Sequence, residues 1–152
     1  MRGRAPGWGR HEGLATAGQL TDGGYMRLSC GVDLVEIDRV AAVIGRWGDR
    51  FLTRVFTDAE RAYCRGRVPE LAVRFAAKEA VSKALGTGIV GMAWRDIEVV
   101  PDPRGKPLVV LHNRAKARAT ELGLTAFEIS LSHSRDMAIA MVVAQGADRA
   151  ES

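Results

Sequence analysis

Apolar residues in this chain recur first as an uninterrupted run, then at helical spacing, then in short β-branched stretches, and those changes divide it into elements. From Leu28 to Ile37 the run LSCGVDLVEI reads as a buried strand that Asp33 and Glu36 interrupt. Asp38 is placed to cap a following helix, with Val40, Ala41, Val43 and Ile44 on its apolar side and Gly48 closing it after Trp47. A short helical or irregular piece follows around Phe51 to Phe56. Thr57 with Glu60 three residues on has the spacing of a capping box, which predicts a second helix through Tyr63. The longest helix then runs from about Pro69, a residue suited to a first turn, to Leu85, with Gly86 ending it.

Beyond Gly88 the pattern changes to strands. Asp96 to Val100 and Pro107 to His112 are short β-branched runs joined by the turn sequence Pro101-Asp102-Pro103-Arg104-Gly105-Lys106, a predicted hairpin. Asn113 is placed to cap a further helix that carries Ala115, Ala117, Ala119 and Leu122 and ends at Gly123. Two closing strands, Ala126 to Ser132 and Met137 to Ala144, flank a tight turn at His133 to Asp136. Strands joined by short turns pair antiparallel, so the order strand, helices, hairpin, helix, hairpin predicts an α+β fold with a mainly antiparallel sheet.

Composition narrows the picture in two ways. The chain has 152 residues, 47% of them hydrophobic, which suits one domain with a real core. Residues 1–25 are rich in Gly and Arg without a sustained period and are expected to be a disordered extension, with Met26 a candidate start, residues 26–146 the domain and 147–152 a tail. The net charge of +4 favours an anionic partner, but no basic run calls for nucleic acid and no membrane-length apolar stretch appears. Cys30 and Cys64 form no CxxC pair and are expected to be core or near-core residues of a reduced, cytoplasmic protein.

The helix RFAAKEAVSKALGTG, residues 74–88, carries the candidate chemistry. At about 100° per residue, Glu79 and Lys83 lie together one turn apart, while Arg74 and Lys78 form a second pair well over a quarter-turn around the axis. Packing alone would favour one wet face. Small residues at Ala76, Ala77, Ala80 and Ala84 would let a partner or ligand approach the backbone, and a carboxylate beside cations suits a metal-assisted anionic ligand such as a pyrophosphate. The plainer reading is a surface helix with a Glu79–Lys83 pair worth only about 0.3 to 0.5 kcal/mol.

Asp33 sharpens that choice, because a carboxylate inside an apolar strand needs a partner or a metal. Asp33 and Glu79, hard oxygen ligands from two elements, would leave open positions for water and phosphate oxygens, which describes a Mg²⁺ site that binds through its substrate. The competing reading is a strand-end aspartate that is solvated or paired with Arg39. Gly86-Thr87-Gly88, Gly105-Lys106-Pro107 and the isolated His133 are each weak signals taken singly.

Taken in order, these motifs resemble a family. GVDLVEIDR (31–39), FTDAERAYC (56–64), LAVRFAAKEAVSKALGTG (71–88), WRDIEV (94–99), GKP (105–107) and SLSHSRDMAIAMVV (130–143) are similar to the small trimeric 4'-phosphopantetheinyl transferases, the bacterial holo-acyl-carrier-protein synthase family. The resemblance spans Met26 to Gln145. It implies transfer of the phosphopantetheine arm of coenzyme A to a serine of apo acyl carrier protein, with Mg²⁺ held by Asp33 and Glu79. It further implies that Lys83 contacts the phosphates and assists the leaving group. Arg74, Gly105, Lys106, Pro107 and His133 would surround coenzyme A, and Arg39 would dock the carrier's acidic helix. The family's assembly is a homotrimer with active sites between subunits. The proton acceptor stays open among Glu79, Glu36 and a metal-bound water. A transferase for polyketide or peptide synthetase carriers and a basic, non-catalytic binding module are the alternatives.

Overall fold

The opening run forms strand β1, Met26–Glu36, and its partner is the last strand of the chain, β5, Met137–Ala147, in antiparallel register from Met26 opposite Ala147 to Glu36 opposite Met137. Strand β4, Ala126–His133, lies on the other side of β5, giving a three-stranded sheet in the order β1-β5-β4. The computed structural model describes residues 26–147. The expected disorder of residues 1–25 and the expected tail beyond 147 lie outside the described residues.

Between these strands come α1 (Ile37–Trp47), α2 (Asp49–Val55), α3 (Asp58–Cys64) and α4 (Val68–Ala84). A hairpin of β2 (Ile97–Pro101) and β3 (Pro107–Leu111) follows, then α5 (Asn113–Glu121). The α+β expectation and the hairpin agree with this order. The capping box is present, Thr57 Oγ1 accepting from Glu60 N–H and Glu60 Oε2 accepting from Thr57 N–H at 2.8 Å. Two caps differ from expectation. Helix α1 starts two residues early, at Ile37, with Glu36 in place of Asp38 at the capping position and no side-chain cap bond. Asn113 is already helical, with His112 at the capping position, and its amide nitrogen donates to Asp96 Oδ1 at 3.2 Å.

Helix α4 lies across the inner face of the three-stranded sheet. Ala76, Ala77, Ala80 and Ala84 on the helix, with Ala140, Val142 and Ala144 of β5, form the centre of the core. The close approach those alanines were expected to offer a ligand is taken by the chain's own sheet. Gly31 marks the tightest point: a Cβ there would stand 1.9 Å from the Ala80 carbonyl oxygen, so no other residue lets β1 lie this near α4.

The described residues leave the outer face of that sheet uncovered. Leu28, Val32 and Leu34 of β1 and Ile139, Met141 and Val143 of β5 point away from α4 and are exposed. This corrects the reading of Leu28 to Ile37 as a buried strand: one side is covered and the other is not, because strand side chains alternate. Cys30 shares the outer face and is exposed, whereas Cys64 is fully buried as expected. Burial pushes the Cys64 thiol up to about 11, so it stays protonated.

Candidate functional site

By strand alternation Gly31, Asp33 and Val35 face the helix, so the contact that admits Gly31 against Ala80 also brings Asp33 to the next turn of α4. There Lys83 Nζ donates to Asp33 Oδ1 at 3.0 Å and to the Val32 carbonyl at 2.8 Å. The partner of Asp33 is thus Lys83, not Arg39. Glu79 stands beside them, half-buried, and its carboxylate takes no hydrogen bond or ion pair among the described residues. Burial, then the neighbouring Asp33 charge, push the Glu79 carboxyl above its ordinary range, and Lys83 pulls it partly back.

Two carboxylates so close that the Asp33 charge raises the proton affinity of Glu79 are arranged for a cation. The donor set fits a hard divalent ion: two oxygen-bearing side chains, one without a protein partner, at a partly open position. No group of three or more His, Cys, Asp or Glu side chains able to hold a metal exists among the described residues. Water and substrate oxygens would therefore have to complete the coordination. That suits Mg²⁺, which keeps several waters and binds through phosphates.

A second cluster lies apart from the first. Arg74, Tyr63, Gly105, Lys106, Pro107 and His133 line a cavity of about 430 Å³ that none of Asp33, Glu79 and Lys83 borders. Arg74 is almost wholly buried; its guanidinium donates to the Val99 carbonyl at 3.2 Å and to Glu70 Oε2 at 2.9 Å, and lies over the Tyr63 ring. The turn is built by Asp102, whose Oδ1 accepts from the backbone N–H groups of Arg104 and Lys106, with Gly105 at φ 89°. Lys106 bonds Glu128 Oε2 at 2.7 Å, and that bond raises its pKa. His133 is exposed, its Nδ1 3.3 Å from the Ser134 carbonyl. The combined effect is an open cavity lined by Arg74 and Lys106, each paired with a carboxylate, Glu70 and Glu128.

Arg39 is exposed on α1 and borders a groove with Leu34, Val43, Phe51 and Phe75. Sequence reasoning missed its basic neighbours: Arg46, Arg50 and Arg54 are exposed along α1 and α2, and the first two lie over the Trp47 ring at 5.1 and 6.0 Å. The signal was there in the arginines flanking Trp47. Glu36 projects to the opposite face of β1 from Asp33, by the same alternation, which weakens it as a proton acceptor.

Lys78 differs most from expectation. It was grouped with Arg74 as a second charged face of the helix, yet it is fully buried and bonded to Glu60 Oε2 at 2.9 Å, to the Trp94 carbonyl at 3.2 Å and to the Ile97 carbonyl. Desolvation lowers its pKa, and the Glu60 charge opposes that. Thr57 and Glu60 were legible as a cap, but their link to Lys78 was not.

The chain is similar in sequence and in fold to known proteins. The family model of the 4'-phosphopantetheinyl transferase superfamily matches residues 29–142. A holo-[acyl-carrier-protein] synthase of Herpetosiphon aurantiacus is 52% identical, over 78% of this chain and 99% of its own length. Helicobacter pylori holo-[acyl-carrier-protein] synthase, solved in complex with coenzyme A, aligns with a TM-score of 0.70 at 33% identity, covering 76% of this chain and 98% of that one. The Plasmodium yoelii acyl carrier protein synthase with ADP bound aligns with a TM-score of 0.75 at 27% identity, covering 82% and 100%.

Proposed function

Because this chain belongs to the 4'-phosphopantetheinyl transferase superfamily, we propose that it moves the phosphopantetheine arm of coenzyme A onto a serine of apo acyl carrier protein, in fatty acid biosynthesis. The serine hydroxyl oxygen forms a bond to the pantetheine-side phosphorus. The bond from that phosphorus to the bridging oxygen breaks, adenosine 3',5'-bisphosphate leaves with the electron pair, and the hydroxyl proton passes to a base. The observation that carries this reading is the Asp33–Glu79 carboxylate pair beside Lys83.

Asp33 and Glu79 would hold Mg²⁺, which when bound supplies positive charge to phosphoryl oxygens. Lys83 is half-exposed and can turn from Asp33 toward the leaving phosphate, where an ammonium stabilises developing charge. Glu79 lies beside Asp33 and Lys83 whereas Glu36 projects to the other face of β1, so Glu79 or a metal-bound water is favoured over Glu36 as the group that receives the serine proton. The cavity of Arg74, Gly105, Lys106, Pro107 and His133 is assigned to the adenosine bisphosphate end of coenzyme A. Arg39 is assigned to docking the acidic carrier.

The two clusters occupy different places on one chain, and the outer sheet face leaves Leu28, Val32, Leu34 and Met141 each about half exposed. An apolar sheet face of this kind marks an interaction surface. Both features support a homotrimer in which one subunit's carboxylates meet a neighbour's cavity. No described helix is long and apolar enough to cross a membrane, and a cytoplasmic location is part of this proposal.

The decisive experiment is mass spectrometry of apo acyl carrier protein incubated with the chain, coenzyme A and Mg²⁺. The carrier should gain the phosphopantetheine mass, and EDTA or Glu79→Ala should abolish the gain. An unmodified carrier would overturn the reading. Sedimentation should show a trimer in the active range of concentration; a fully active monomer would remove the shared-site assignment.

A further inference from the structure

Among the described residues strand β2 has a neighbour strand on one edge only, β3, with Val99 opposite Val109. Its other edge is buried, where unpaired backbone groups would be costly. Charged side chains occupy it instead. Glu60 Oε1 accepts from Val99 N–H at 2.9 Å, Arg74 Nε donates to the Val99 carbonyl, and Lys78 Nζ donates to the Ile97 carbonyl. Glu60 Oε2 meanwhile accepts from Lys78 and from Thr57 N–H, so one carboxylate joins α3, α4 and β2. Glu60 and Lys78 are both 0% exposed, and no buried side-chain nitrogen or oxygen among the described residues lacks a partner.

We propose that Glu60 and Lys78 are positioning residues for coenzyme A: they stand in for the missing strand beside β2 and thereby fix the hairpin turn that presents Gly105, Lys106 and Pro107 to the cavity. The inference rests on the assignment of that cavity to coenzyme A. A buried ion pair is a poor means of stabilising a core, since apolar side chains of similar volume commonly do as well. What the pair supplies is direction. Its bonds set both the height of β2 along α4 and its rotation about its own axis, because they grip consecutive outward-facing backbone groups. β2 then runs from this clasp through Pro101, itself a wall of the cavity, into the exposed turn. Arg74, on α4, and Lys106, on the turn, reach the same cavity from elements that this clasp holds in register. Within the turn Asp102 bonds the backbone of Arg104 and Lys106, and the exposed Lys106–Glu128 pair shares its ammonium with any phosphate bound there, so neither contact sets where the turn stands relative to α4.

The test is the double variant Glu60→Gln/Lys78→Met in the full chain, where a neutral pair of similar size replaces the ions. The KM for coenzyme A and the calorimetric Kd for adenosine 3',5'-bisphosphate should rise about tenfold or more, with kcat at saturating coenzyme A within about threefold of wild type and the carrier KM unchanged. A lowered melting temperature with an unaltered coenzyme A KM would reduce the pair to a structural role and overturn the proposal. So would a fall in kcat alone. A wild-type chain that modifies no carrier sinks the parent reading, whereas an active wild type matched by the variant in coenzyme A KM sinks this inference only. Should the variant not fold, amide exchange in the wild type decides. Val99 N–H exchanging as slowly as the amides of β5, with the turn at residues 102–106 unaltered on adding adenosine 3',5'-bisphosphate, supports the clasp. Fast exchange, or protection gained only with ligand, overturns it.

Discussion

Two of the lysines on helix α4, each ion-paired to a carboxylate of another element, look alike in sequence and differ in their surroundings. Lys78 is sealed in the interior, and each polar atom it meets is satisfied by the protein. Lys83, about half exposed, holds an aspartate beside a glutamate that has no partner among the described residues. The comparison teaches that completeness of pairing separates architecture from chemistry. A closed network has nothing left to offer a ligand, whereas an unpartnered carboxylate with raised proton affinity is poised to accept a cation or a proton.

That contrast can be broken from either side. The largest effect is expected at the open pair: Asp33→Ala should slow carrier modification about a thousandfold, roughly 4 kcal/mol of barrier, while the melting temperature barely moves. A rate near that of wild type, followed by mass spectrometry, would remove Asp33 from the chemistry. At the closed pair the balance inverts. Lys78→Met alone strands the Glu60 charge and should cost about 3 to 5 kcal/mol in urea unfolding, against less than about 1 kcal/mol for Lys83→Met. Equal costs would erase the distinction.

A smaller loss is expected where β1 meets the helix. Gly31→Ala forces a methyl toward the Ala80 carbonyl and should destabilise by about 2 to 3 kcal/mol, with Mg²⁺ affinity falling as Asp33 is pushed off α4. Unchanged unfolding would mean that the strand shifts freely. The smallest effect concerns protons. With its folded pKa above the ordinary 4.5, Glu79 binds a proton more tightly in the folded than in the unfolded chain. Stability should therefore fall as pH rises through the window between the two values, and Mg²⁺ affinity should rise across it as the ion competes with that proton. Thermal melts of wild type and Glu79→Gln test the sign: the variant should lack this dependence, and its persistence would assign it elsewhere.

Local signals were readable from the chain, and distant ones were not. The hairpin and the Thr57–Glu60 cap are decided within a few residues, so pattern alone places them. Asp33 was legible because a carboxylate in an apolar strand demands an explanation, and Glu79 because it shares a helix with three cations. The helix alone could not say which of those cations meets water. That depends on β2 lying over Lys78 and β1 over Lys83, contacts between elements far apart in sequence. For the same reason Gly31 passed as an ordinary strand residue, since its constraint comes from a carbonyl on another element. The outer face of β1 was misread because an apolar run does not reveal whether both of its sides are covered within one chain.

The union of first strand with last has a consequence for how the molecule comes into being. As the polypeptide emerges from the ribosome, β1 is made at once but finds its hydrogen-bonding mate only after residue 147 has cleared the exit tunnel. Until then a greasy, half-finished edge travels with the nascent chain, and closing so long a loop is intrinsically slow. Premature stops that delete β5 should thus yield aggregates rather than a smaller catalyst, however intact Asp33, Glu79 and the cavity residues upstream of it remain.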